Sequence, residues 1–390
     1  MADLKIFVDI NEPAAAVSAQ LLGRRGKTKV IFHEGHIVQC DISKFSTAVL
    51  MARTPGFWSH RVESVRGDMR IDLRRITSSG PLHWWHKDIG ITTSDLTRGA
   101  GVTIGVIDYR LMRTPSDQSI DHVEVLGEAA TPDWQCPDDG YLPEHYHGNA
   151  VVSLIFSRST SKDGAQGIAP GARGLFMSGW APESRGGGRE ALSVGRIAHA
   201  ITFLAEEKEC DIITVSAGDG AEPEPLIHEA VQLAQEHGVL CFFAAGNEGG
   251  RPAYPARYPE ILAVAALGRR GIASPGSLEE AEDLKSETLI DDLYLWDDSA
   301  RGIGVEFIAP GSNVFWDHAG TVARGLNGSS FSSPVAAGTA AVILSGTKSR
   351  WAHLPRSKER WNTMLSILRE HSFYDQSFDT VAKYGFLKVP

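Results

Sequence analysis

Between residues 102 and 245, short apolar runs alternate with helical stretches of ten or more residues, and this alternation limits the possible folds more than any other feature. Val102-Thr103-Ile104-Gly105-Val106-Ile107 is a nearly unbroken apolar run, suited to a strand covered on both faces, and it ends in Asp108. Beyond it the pattern predicts a helix over 147–156, a strand over 174–177, a helix over 191–205, a strand over 211–215, a helix over 226–236 and a strand over 239–245. Strands separated in this way connect by right-handed crossovers into a mostly parallel sheet. Such sheets bind ligands at the carboxyl ends of their strands. Asp108, Ser216-Ala217-Gly218 and Gly246-Asn247 each end or follow a predicted strand, so all three are expected on one rim.

The first 75 residues read differently. Strand signals over 5–10, 29–32, up to 42 and 69–73 are interleaved with helical signals over 13–22, 44–53 and 57–65, with a turn at Glu34-Gly35. This describes a small α+β module with its own core. Arg74-Arg75 then leads into the polar, turn-rich stretch Ile76-Thr77-Ser78-Ser79-Gly80-Pro81, a composition that proteases cut readily. The expected organisation is a module at 1–75, a linker at 76–81 and a large domain at 82–390.

A formal net charge of −10 argues against nucleic-acid binding through a basic face and makes cationic peptides the more natural partners. The N-terminus lacks the pattern of a secretion signal, and no run of about 18 apolar residues offers a membrane span. A cytoplasmic protein with no membrane partner is expected. Cys40, Cys136, Cys210 and Cys241 show no metal-ligand spacing and read as free thiols. His145 and His147 lack a matching cluster, and His33-Glu34-Gly35-His36 fails the zinc-protease spacing, so neither metal nor cofactor is expected.

The stretch from Asn327 to Gly338 combines a glycine turn, hydroxyls at the start of a helix and an Ala/Val run that buries the helix. Ser330 therefore stands where orphan N–H groups and the helix dipole favour developing negative charge. A helix-start serine is also a common cap. As a nucleophile it needs an imidazole to take its proton and a carboxylate to fix that imidazole. Asp108, His147 and Ser330 occur in one of the three chain orders of convergent triads. Asn247, beside Gly246, is a candidate side-chain donor to an oxyanion, or else an ordinary turn residue.

Gly101 to Asp108, His147-Gly148-Asn149-Ala150-Val151-Val152, Ala244-Ala245-Gly246-Asn247 and Asn327 to Pro334 together resemble the Asp, His, oxyanion-Asn and Ser motifs of the subtilisin-like serine proteases, in that family's order. Gly167 to Ala172, Ile213 to Gly218, Tyr254 to Pro259 and Ile308 to Gly311 extend the resemblance over roughly residues 82–390. It implies an α/β, three-layer subtilisin-like fold with a mostly parallel sheet, preceded by a small α+β propeptide-like domain that acts as intramolecular chaperone and inhibitor. It also implies a serine endopeptidase with Ser330 as nucleophile, His147 as general base and acid, Asp108 as its orienting carboxylate and Asn247 as oxyanion donor. Ser216, Ala217 and Gly218 would pair with an extended substrate, with the stretch from Gly179 to Gly188 facing them across the groove. A silent peptide-binding protein keeping the same groove is the alternative. An α/β-hydrolase is disfavoured because the segment around Ser330 does not fit G-x-S-x-G.

The chain departs from the family at Tyr109-Arg110 after Asp108, where bulk could crowd the carboxylate, at Asn149-Ala150 and at Phe331-Ser332. Two acidic segments, 117–144 and 269–300, read as insertions. They are solvated faces or selectors of basic peptide substrates. The missing leader and these long loops suggest a dedicated intracellular processing enzyme.

Overall fold

The computed structural model describes residues 4–9, 28–33, 37–42, 81–109, 111, 118–127, 147–162, 164–182, 190–217, 222–273, 278–318 and 321–390. Near the N-terminus, β1 (Leu4–Asp9), β2 (Thr28–His33) and β3 (Ile37–Ile42) form an antiparallel sheet with β3 in the middle. Three of the four strands expected in the first module are thus present. Its expected helices, the strand over 69–73, the Glu34-Gly35 turn and the linker up to residue 80 lie outside the described residues.

The rest of the chain is built on one large sheet. In chain order its strands, with two hairpins that stand apart from it, are β4 (Thr103–Asp108), β5 (Glu124–Val125), β6 (Arg173–Ser178), the small hairpin β7 (Trp180–Pro182) and β8 (Glu190–Leu192), β9 (Ile212–Val215), β10 (Leu240–Ala244) and β11 (Ile261–Arg269). There follow β12 (Glu287–Ile290), β13 (Leu293–Leu295), β14 (Phe307–Pro310) and a second hairpin, β15 (Val314–His318) with β16 (Thr321–Leu326). The helices are α1 (Trp84–Asp88), α2 (His147–Phe156), α3 (Val194–Glu206), α4 (Pro225–Glu236), α5 (Leu278–Lys285), α6 (Ser329–Gly346) and α7 (Lys358–Glu370). In space, β5, β6, β4, β9, β10 and β11 lie side by side, all parallel. Along its other edge β11 pairs with parallel β14 through Val264 to Leu267 and with antiparallel β13 from Leu267 onward. The antiparallel β12–β13 pair therefore extends the sheet at the carboxyl end of β11.

Residue alternation explains the layers. Ile104 and Gly174 are register partners and point the same way. A Cβ on Gly174 would come within 2.9 Å of the Phe156 ring of α2, whereas one on Gly105 would meet Leu204 of α3 at 2.8 Å. One face of the sheet thus carries α2 and α6, which pack on each other, and the other carries α3 with its neighbour α4. Strands β4, β9 and β10 are buried almost throughout, which is why they read as continuous apolar runs.

The element boundaries have local causes. Helix α3 begins at Val194, later than the apolar pattern suggested, because Ser193 caps it by accepting the Arg196 N–H, and residues 190–192 fall into β8. Helix α4 opens on Pro225, whose missing N–H costs nothing at a first helical position. Helix α6 is buried on almost every side, and Gly338 lets it approach Ile168 so closely that a Cβ would lie 3.1 Å from that side chain. Cys210 and Cys241 are free and buried, and burial pushes the Cys241 thiol up to about 12 and the Cys210 thiol further. Cys40 and Cys136 have no described side chain. Among the described residues no helix is long and apolar enough to cross a membrane, and no cluster of metal-ligating side chains occurs.

Candidate active site

Because β4, β9 and β10 run parallel, Asp108, Ser216 and the Gly246-Asn247 turn emerge at the same edge of the sheet. From the helical face, α2 and α6 bring His147 and Ser330 to that edge by their N-terminal ends. Six of the seven residues expected at the site are described. Gly218 lies outside the described residues, as do residues 183–188 of the expected opposite wall.

Asp108 is fully buried, and its Oδ1 lies 2.7 Å from His147 Nδ1 and accepts the Tyr109 N–H at 2.7 Å. A buried carboxylate needs such partners. Its Oδ2 is buried without one among the described residues. The bulk of Tyr109 does not break the pair: its backbone donates to the carboxylate, and its carbonyl accepts from Ser178 Oγ at 2.6 Å. Burial lowers the affinity of His147 for a proton, but the Asp108 charge and hydrogen bond outweigh burial and hold the imidazole above its ordinary range. With Nδ1–H committed to Asp108, Nε2 is the basic nitrogen of the neutral ring. The ring packs 5.2 Å from that of Phe331, the residue after Ser330. The Phe331 departure thus supplies a contact to the imidazole.

Ser330 is not the helix cap. The cap is Gly328, held at φ 149°, and Ser330 is the second helical residue. That φ favours glycine, and a Cβ there would stand 3.5 Å from Asn247 Nδ2. The Ser330 hydroxyl is therefore free of capping duty. It donates to the Ser216 carbonyl at 3.4 Å and not to His147. The reverse bond is shorter: Ser216 Oγ donates to the Ser330 carbonyl at 2.8 Å. Pro334 explains it, because the residue that would close the first intrahelical bond to that carbonyl has no N–H. Proline frees the carbonyl, and Ser216 occupies it.

The Asn247 amide has one possible orientation. Its Oδ1 accepts both the Ser329 N–H and the Ser329 hydroxyl, each at 2.8 Å, and a backbone N–H can face only an acceptor. The Nδ2 hydrogens therefore point away from Ser329 Oγ, with Nδ2 beside Gly328. Ser329 Oγ in turn accepts the Gly246 N–H at 3.0 Å. Ser329 and Pro334 both lie within the serine motif, yet the sequence assigned neither a role. Their signals were a second hydroxyl preceding Ser330 and a proline four residues after it.

The surroundings of the 269–300 segment differ from an open acidic face. Asp291, Asp292, Asp297 and Asp298 are exposed, but Asp283 is only 3% exposed. Of segment 117–144, only residues 118–127 are described.

The subtilase family model, a peptidase S8 family, matches residues 99–371. Subtilisin BL of Lederbergia lenta is 26% identical over 271 residues, covering 69% of this chain and 85% of that protein. The major intracellular serine protease of Bacillus subtilis (strain 168) is 28% identical over 254 residues, covering 64% of this chain and 70% of that protein. Among solved structures, the S41 psychrophilic protease superposes with a TM-score of 0.57 at 23% identity, over 81% of this chain and 100% of that one. A mutant of the protease domain of PatA gives a TM-score of 0.55 at 21% identity, over 75% and 94%. The chain belongs to the subtilase family and is a subtilisin-like serine endopeptidase.

Proposed function

We propose that the chain hydrolyses peptide bonds through an acyl-enzyme on Ser330, with Asp108, His147 and Ser330 as its triad. The 2.7 Å Asp108–His147 pair carries this reading, since its ring rests against Phe331, the neighbour of Ser330. An extended substrate lies along Ser216-Ala217-Gly218. The Ser330 hydroxyl turns about its Cα–Cβ bond from the Ser216 carbonyl to His147 Nε2, which takes its proton as Oγ attacks the scissile carbonyl. Asn247 Nδ2 and the Ser330 N–H donate to the resulting oxyanion. His147 then protonates the leaving amine, and water resolves the ester by the same steps in reverse. A peptide-binding protein without activity needs neither the fixed Asn247 amide nor the paired imidazole.

On this reading residues 1–75 are an intramolecular inhibitor and chaperone, joined through 76–81 to the catalytic domain 82–390. The natural role is intracellular processing of peptide substrates, preferably basic ones. Likeness to the intracellular protease of Bacillus subtilis and a net charge of −10 favour this role. The test is intact mass before and after a fluorophosphonate probe, beside Ser330→Ala. One adduct on the wild type only is expected, together with loss of about the first 75 residues. An unlabelled wild type that stays unlabelled after removal of residues 1–75 refutes the reading.

A further inference from the structure

The acidic segment 269–300 places the Asp283 carboxylate in the interior, and its partners lead to the turn before Ser330. Asp283, on α5, accepts the Tyr294 hydroxyl at Oδ1 and the Asn313 amide at both oxygens, at 2.9 and 3.1 Å. Tyr294 is fully buried on β13. Burial, then the Asp283 charge, push its phenol far above the usual range, so it keeps its proton and donates. Gly268 stands opposite Tyr294 in the β11–β13 pairing, and a Cβ there would strike the phenol. The sheet has therefore made room for this side chain.

From Asn313 the chain of contacts continues. Its N–H donates to Asn327 Oδ1 at 2.7 Å, and the neighbouring Ser312 Oγ donates to the same oxygen at 3.1 Å. Asn313 sits at φ 53°, a conformation asparagine tolerates, and its carbonyl accepts Trp84 Nε1 at 2.8 Å. The next residue after Asn327 is Gly328, whose N–H reaches the Gly311 carbonyl at 2.8 Å. Loop 311–313 thus grips the two residues before Ser329 at three points, and Asp283 with Tyr294 fixes that loop from behind.

We propose that Asp283, Tyr294 and Asn313 are positioning residues which brace Asn327 and the Gly328 turn, so that this part of the acidic segment sets the nucleophile rather than meeting substrate. The proposal rests on the reading of Ser330 as nucleophile. Its site is buried, so a charged substrate does not reach Asp283.

The test compares full-length wild type, Tyr294→Phe and Asn313→Gly. Phenylalanine keeps the ring and removes only the donor. Glycine accepts the positive φ and keeps the backbone N–H to Asn327 while cutting the tie to Asp283. Fluorophosphonate inactivation rates, kcat and KM on a peptide substrate, and Tm are measured for each. The expected result is a loss of about tenfold in inactivation rate and kcat for both variants, with KM nearly unchanged, because misplacing a reacting atom by a fraction of an ångström costs rate and not ground-state binding. A lowered Tm with wild-type inactivation rates means the network is only structural and overturns the brace alone. A wild type that takes no adduct overturns the Ser330 reading, and the brace falls with it. If Tyr294→Phe does not fold, Asn313→Gly alone decides.

Discussion

Replacing Ser329 by alanine tests whether the Asn247 amide, the proposed oxyanion donor, is held as the geometry implies. The hydroxyl makes two bonds, accepting the Gly246 N–H at 3.0 Å and donating to Asn247 Oδ1 at 2.8 Å. Without it, Gly246 keeps a buried N–H with no acceptor, which costs about 1–3 kcal/mol. Asn247 Oδ1 retains the Ser329 N–H at 2.8 Å, so the amide stays roughly oriented but can swing about one bond. Complete loss of such a donor lowers turnover by about a hundred- to a thousandfold. Ser329→Ala is therefore expected to lose about tenfold in kcat, equivalent to about 1.4 kcal/mol of transition-state stabilisation, with little change in KM. Steady-state kinetics on a chromogenic peptide give the rate, with Asn247→Ala as the lower limit. Thermal unfolding gives the stability, measured in a Ser330→Ala background so that self-digestion does not interfere. A wild-type kcat refutes the reasoning. So does a loss as deep as that of Asn247→Ala, because the remaining N–H would then hold nothing.

Two further outcomes follow from the same geometry. Since Asp108 holds His147 above its ordinary range, and the proposed base must be neutral to act, the acid limb of kcat/KM is expected above about pH 6.5. Asp108→Asn moves that limb down while the plateau falls by about 10⁴. The pair's contribution to stability has the matching sign: it is full below the unfolded value and lost as pH rises through the folded one, which urea midpoints across that window will register. Ser216→Ala strips the Ser330 carbonyl of its donor and is expected to cost about 1–3 kcal/mol. Pro334→Ala supplies a new N–H to that carbonyl, so the double variant should recover part of the loss. Additive losses in the cycle would exclude the link between Pro334 and Ser216.

The parallel sheet was legible because its central strands are buried on both faces and therefore spell continuous apolar runs. The shared rim followed, since Asp108, Ser216 and Asn247 stand where those runs stop. What was not legible depends on partners remote in sequence. Nothing near Asn247 announces that Ser329, 82 positions away, selects the orientation of its amide. Likewise Asp283 sits in a run of acids that periodicity assigns to solvent. Only the β11–β13 pairing and the gap left by Gly268 turn that stretch inward. The late start of α3 was a smaller miss, since the apolar pattern runs through Ala191 and Leu192 whereas the cap at Ser193 decides. The bulk of the Tyr109 side chain reads as obstructive, yet it is the backbone N–H of this residue that meets Asp108.

The burial of α6 ties the chemistry to the deepest part of the molecule. From Phe331 to Ala341 every residue of this helix is buried, against strands β9, β10, β11 and β14 on one side and α2 on the other. Its amides are therefore expected to exchange with deuterium only when the whole domain opens, and to rank among the slowest of the described residues. Partial opening elsewhere leaves the support of Ser330 intact. On the proposed mechanism, covalent labelling of Ser330 under increasing denaturant should then persist until global unfolding, making this residue a reporter of the last structure to melt.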